Sequence, residues 1–243
     1  MNNLTPVVKN LLIINVIFFV ATLFFQNQGI DLSDILGAHY FDSPKFGVWQ
    51  PITYMFMHGS MGHIFFNMFS LFMFGPILEN HWGAKRFINF YLLTGLGALA
   101  LQWGVQAFEL YQLTGSVISS GNLQLENLIA TGQYSLEHFS KPDAENIASI
   151  YFGTMVGASG AIFGIMTAFA VLYPNMELFI MFIPVPVKAK YFITGYIIIE
   201  LISGVSRVEG DSIAHFAHLG GALVGYILVK YWRNKTTYFD YYE

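Results

Sequence analysis

The sequence predicts an all-α protein that crosses a membrane repeatedly, and three observations carry that reading. Of its 243 residues, 55% are hydrophobic and 11% charged, with a mean hydropathy of +0.52, whereas about a quarter of the residues in a soluble globular chain are charged. Six stretches, roughly 9–26, 59–78, 87–108, 157–173, 189–206 and 213–232, approach the run of about 20 apolar residues that a hydrocarbon core of ~30 Å demands. The third observation is a small set of polar residues inside those stretches. Lipid penalises such groups, so they face protein or a water-filled cavity.

The first stretch, Leu11 to Phe25, follows Lys9 and resembles the core of a secretory signal. The bulky polar Gln26, Asn27 and Gln28 after it offer no small-residue cleavage site, so it is read as a retained span. The fourth stretch is short and opens with Gly157-Ala158-Ser159-Gly160, which suggests a helix that starts below the membrane surface after an inward-dipping loop. Such backbone is tolerated only where protein buries it or water reaches it. Two long outer loops are expected, 27–58 and 109–156. The first carries Trp49-Gln50-Pro51 and an interfacial amphipathic element, and the second has helix-compatible pieces such as LQLENLIA. With no internal repeat or low-complexity tract, residues 1–243 read as a single membrane domain.

Charge and composition exclude several classes of function. A formal charge of -4 and 11 scattered Lys and Arg leave no basic strip for nucleic acid. The absence of cysteine removes disulfides, thiolate chemistry and Cys-based metal sites. With the N-terminus inside, Lys9, Lys85, Arg86, Lys188, Lys190, Lys230, Arg233 and Lys235 fall in inner segments, and only Lys45, Lys141 and Arg207 fall outside. That asymmetry predicts both termini in the cytoplasm and Ser159 entering from the outer side.

Chemistry must then come from serine and histidine. His63 and Asn67 lie at i and i+4 in HGSMGHIFFNMFSLF, on one helix face. They either hold a developing oxyanion or merely bond neighbouring helices. Ser159, in GASGAIFG, is either a nucleophile at a helix N-terminus or an N-cap. Gly160 and Gly164 there form a close-packing face. His218, in AHFAHLGGALVG beside Gly221 and Gly225, has the residue type for a general base, and His215 competes for that role. His63, His215 and His218 raise the question of a metal, but there is no HExxH and no carboxylate at ligand spacing, so none is expected. Glu200 is the only acid deep inside a span, and reads as an interhelical hydrogen-bonding group or a proton relay.

HGSMGHIFFN, GASGAIFG and AHFAHLGGALVG, in that order on separate spans, resemble the rhomboid family of intramembrane serine proteases. GPILENHWG, with Glu79, is similar to the family's turn after the second span. The resemblance implies a six-span bundle in which Ser159 is the nucleophile and His218 its base, a dyad without an acidic third member. It further implies an oxyanion site from His63, Asn67 and the Ser159 backbone N–H, with His58 bracing the adjacent loop and Phe163 against the base. Gly157, Gly160 and Gly221 would support the site. No cofactor is implied, and the expected partners are transmembrane protein substrates and membrane lipid, with a bacterial plasma membrane as the expected location. GVSRVEGDS would act as a mobile cap. Alternatives within the same sequence are a non-cleaving helix-binding protein and a proton-coupled transporter using Glu200 and the histidines. One departure is that Trp49 is followed by Gln50, where the family often has arginine, which puts that residue's structural hydrogen bonds in question.

Overall fold

The computed structural model describes residues 4–133, 139–179, 185–206 and 215–239, with side chains described as far as residue 232. The expected cap GVSRVEGDS lies outside the described residues from position 207 onward. In chain order the helices are α1 (Pro6–Gln26), α2 (Leu32–Leu36), α3 (Gln50–Thr53), α4 (Met61–Trp82), α5 (Ala84–Thr114), α6 (Leu123–Thr131), α7 (Lys141–Phe152), α8 (Ser159–Leu172), α9 (Ala189–Ser206) and α10 (His215–Phe239). A two-residue antiparallel pairing, Glu177–Leu178 with Val187–Lys188, lies between α8 and α9. The fold is all-α and polytopic. Helices α1, α4, α5 and α9 are each long and apolar enough to cross a membrane.

The helix ends follow from local chemistry. Pro6 opens α1, where its fixed φ and missing N–H cost nothing. The next first-turn donors, Val7 N–H and Val8 N–H, which have no intrahelical acceptor, reach the Glu79 carboxylate of α4 at 2.9 Å each, and Thr5 Oγ1 donates to the same group. Glu79 therefore caps a helix remote in sequence, a use of GPILENHWG that sequence alone did not reveal. Helix α4 starts with the Ser60 side chain accepting from His63 N–H at 3.1 Å. Gly83, at φ +78°, lets the chain turn between α4 and α5. At 31 residues, α5 is about 46 Å long, well beyond a hydrocarbon core of ~30 Å. Its expected end at 108 was short because amphiphilic residues such as Gln106 and Glu109 ended the apolar run without ending the helix.

Helix α8 is the centre of the bundle. It has 14 residues, of which Gly160 through Phe169 are all buried, and it packs on α5, α10 and α4. Small residues set the separation. A Cβ on Gly221 would fall on the Gly160 carbonyl, and one on Gly225 would stand 2.7 Å from Gly164 Cα, so α10 meets α8 backbone to backbone. The outward faces are apolar: Ile17, Val20 and Phe24 on α1, Phe65, Phe69 and Phe72 on α4, and Ile198, Ile199 and Ile202 on α9 are all exposed, as lipid-facing positions require.

The two long loops build a second, smaller core. Tyr40 from the first loop packs with Leu110 of α5 and with Leu125, Leu128, Ile147 and Tyr151 of α6 and α7. Asp42 joins the loops by accepting from Tyr151 Oη at 2.9 Å and Ser119 N–H at 2.6 Å. Ala38 and Met155 exchange both backbone hydrogen bonds, at 2.8 and 2.9 Å, so the first loop also grips the segment that leads into α8. Gln50 answers the question raised by the missing arginine. It is buried, accepts from His39 N–H at 3.2 Å and donates to the carbonyls of Lys45 and Ile35 at 2.9 and 3.4 Å. Its neutral amide thus holds the loop without a charge.

Candidate functional site

Ser159 is the first residue of α8. Ala158 occupies the N-cap position, so the serine hydroxyl does not cap the helix. Its Oγ instead lies 2.7 Å from His218 Nε2 on α10. The contact falls on His218 and not on His215, because the three-residue offset places His215 nearer α9. The Phe163 ring, one turn after the serine, is stacked flat on His218, with centroids 4.4 Å apart and planes 8° apart. Tyr196 of α9 in turn packs on Phe163, with centroids at 4.8 Å.

The backbone before Ser159 is shaped by Gly157. Its φ of +134° is one that residues with a side chain rarely adopt, and its N–H donates to the Tyr54 carbonyl at 2.9 Å. A Cβ at that position would stand 2.7 Å from His63 Nε2 and 3.4 Å from Ser159 Oγ. The glycine thus keeps an opening between the hydroxyl and the α4 imidazole. Asn67, one turn beyond His63, is also at this opening, and its Nδ2 is buried with no hydrogen-bond partner among the described residues. His63, Asn67 and Ser159 thus share one opening at the N-terminus of α8, an end that favours negative charge.

These residues line a cavity of about 890 Å³ that also reaches Gln102, Trp103 and Thr154. His58 lies beside it, buried, with its ring 5.0 Å from that of His63. Burial, reinforced by the neighbouring His63, pushes the His58 imidazole down to about 3, so the ring is neutral. A neutral His58 packs against His63 without electrostatic repulsion.

One contact was not foreseen. The resemblance implies a serine–histidine pair alone, yet His218 Nδ1 lies 2.8 Å from Glu200 Oε2 on α9, and His215 Nδ1 lies 2.7 Å from the same oxygen. The signal was available: an acid buried in a span must find partners, and two histidines spaced three apart on a helix present both rings on one face. Each of the three offers one ligand atom within 4.8 Å of the others, a donor set compatible with a divalent cation. In the structure these atoms satisfy one another by hydrogen bonding. His63 faces the serine and does not belong to this trio.

An all-α bundle with apolar outer faces and a hydroxyl–imidazole contact in an internal cavity defines an integral membrane protein with a buried polar site. The chain belongs to the rhomboid family: the Rhomboid domain model matches residues 45–235. It is 27% identical over 223 residues, 91% of its length, to RHOMBOID-like protein 12, mitochondrial, of Arabidopsis thaliana. It is 26% identical over 211 residues, 81% of its length, to Rhomboid protease AarA of Providencia stuartii. It is also 26% identical over 227 residues, 90% of its length, to Rhomboid-like protein 11, chloroplastic, of Arabidopsis thaliana. The chain spans 56%, 63% and 62% of the lengths of these three relatives.

Proposed function

We propose that the protein is an intramembrane serine endopeptidase that hydrolyses peptide bonds in or near transmembrane helices of other membrane proteins. The observation that carries this reading is the 2.7 Å contact of Ser159 Oγ with His218 Nε2 beside Asn67, whose Nδ2 has no hydrogen-bond partner among the described residues. In the reaction, His218 Nε2 takes the hydroxyl proton as Ser159 Oγ bonds to the substrate carbonyl carbon. The oxyanion that forms is received by His63, Asn67 and the Ser159 N–H. The C–N bond then breaks, and the proton on Nε2 passes to the departing amine. Water, activated by the same nitrogen, attacks the ester and frees Ser159. Gly160 and Gly221 hold the two helices close enough for this transfer, and the polar cavity supplies the water that lipid would not.

All six long apolar stretches act as spans in this reading, with α8 reached by an inward-dipping segment and α10 closing the bundle. The distribution of Lys and Arg supports cytoplasmic termini and a cavity open to the outer side, and the compact six-span form fits residence in a bacterial plasma membrane. The matched relatives include mitochondrial and chloroplastic proteins, so the membrane itself is part of the proposal.

The test is cleavage of a model transmembrane substrate in liposomes by wild type, Ser159→Ala and His218→Ala, with fluorophosphonate labelling in parallel. Cleavage and labelling are expected only in the wild type. Cleavage that persists in Ser159→Ala sinks the proposal, and so would a non-cleaving or transporting wild type.

A further inference from the structure

Glu200 is 5% exposed although its neighbours Ile199 and Leu201 are 60% and 49% exposed, so its side chain is the one that α9 turns into the protein here. Gly204, one turn further on, makes room for α10. A Cβ there would stand 3.1 Å from His215 Cβ. The two histidines then place their Nδ1 atoms on one carboxylate oxygen, at 2.7 and 2.8 Å. A protonated oxygen has a single hydrogen and would serve only one of these nitrogens. Both contacts are satisfied when an ionised carboxylate accepts from two Nδ1–H groups. For His218 this tautomer leaves the Nε2 lone pair directed at Ser159 Oγ, 2.7 Å away.

We infer that Glu200 is a positioning residue for the reaction proposed above, on which this inference rests. Its carboxylate fixes His218 in the Nδ1–H tautomer and offsets the positive charge the ring acquires on taking the serine proton. His215 is the second donor that locks the carboxylate rotamer. The chain therefore holds an acid–imidazole–hydroxyl relay spread over α9, α10 and α8. The acid precedes the base by 18 residues and lies on a separate helix. Among the described titratable groups, Tyr196 on α9 and His63 on α4 also face this set.

The experiment uses the full chain in liposomes and compares wild type, Glu200→Gln, Glu200→Asp, His215→Gln and Ser159→Ala by steady-state cleavage, thermal unfolding and ¹⁵N-histidine NMR. Glu200→Gln is expected to lower kcat by about 10²–10⁴-fold with little change in KM, by analogy with loss of the acid in soluble triads. Glu200→Asp, which keeps the charge, is expected to recover much of that loss, and His215→Gln to lose less than Glu200→Gln. NMR should show His218 as the Nδ1–H tautomer in the wild type and a mixture in Glu200→Gln. The inference is overturned if Glu200→Gln cleaves at close to the wild-type kcat. It is equally overturned if Glu200→Asp and Glu200→Gln lose activity alike along with thermal stability, as a purely structural residue would. If the wild type shows no Ser159-dependent cleavage, the proposed function fails instead. The tautomer then still decides the role of Glu200, with Nε2–H at His218 overturning it.

Discussion

Phe163 and His218 lie face to face, with ring centroids 4.4 Å apart and an interplanar angle of 8°. The stack leaves the imidazole free to slide little and tilt less, and it covers one face of the ring from the cavity. A π-face also attracts a cation, so the contact strengthens when His218 becomes imidazolium. Phe163→Ala is therefore expected to lower kcat by about 10-fold or more, since misplacement of a reacting group by about 1 Å costs up to 10²-fold. Phe163→Tyr, which keeps the stack, should retain most activity. Steady-state cleavage in liposomes measures both.

Asn67 Nδ2 is buried and has no acceptor among the described residues. Asn67→Ala is expected to reduce kcat by about 10²–10³-fold, equivalent to roughly 3–4 kcal/mol of transition-state stabilisation. Fluorophosphonate labelling should slow as well, because the phosphonyl oxygen uses the same donors.

Gly221 faces the Gly160 carbonyl with no space for a methyl group, and both sides of the contact are backbone. Gly221→Ala must separate α10 from α8, at a cost of about 1–3 kcal/mol or more. The expected outcome is a lower Tm in detergent together with loss of cleavage, as the Ser159–His218 distance opens. Alanine at Gly104, inside α5 where a Cβ would meet nothing within 4 Å, is the control and should leave Tm unchanged or slightly raised.

Glu79 tests whether the first helix depends on its distant cap. Glu79→Gln keeps one acceptor oxygen for the two N–H groups and removes the charge. The expected loss is about 1–3 kcal/mol, read as a lower Tm and earlier proteolysis within residues 1–26.

Acidification should destabilise the protein through His58. Its folded-state pKa lies below its unfolded value, at about 3, so the unfolded chain binds the extra proton first. Stability is then complete above the unfolded value of about 6.5 and falls as pH drops toward the folded value. Between pH 7 and pH 5 the His58 contribution amounts to about 2 kcal/mol. Thermal unfolding across that range should show a smaller decline in His58→Asn than in the wild type.

Much of this was legible because lipid makes sequence patterns blunt. An apolar run of span length has few structural options, and α9 falls at Ala189–Ser206, the 189–206 range its hydropathy marks. Ser159, His63, Asn67 and His218 could be singled out for the same reason: each is polar where polarity is costly. What escaped was set by tertiary pairing. Glu79 resembles a turn residue until α1 docks on it, and Glu200 and the two histidines, each visible in the sequence, are joined only when α9 and α10 lie side by side. The two-loop core of Tyr40, Leu128 and Tyr151 joins segments that look like ordinary polar loops, since each contributes only one or two apolar anchors. The length of α5 was missed because helix propensity continues where hydropathy stops.

The order of the helices along the chain has a consequence for how such a protein is made. Ser159 and His218 are 59 residues apart, and the histidine sits on a helix that follows the serine's in synthesis. A chain grown only as far as α8 holds the proposed nucleophile without its proposed base. The pair comes into being only when α10 lays Gly221 and Gly225 against Gly160 and Gly164 of α8, so docking of these two helices is the step that would create the activity.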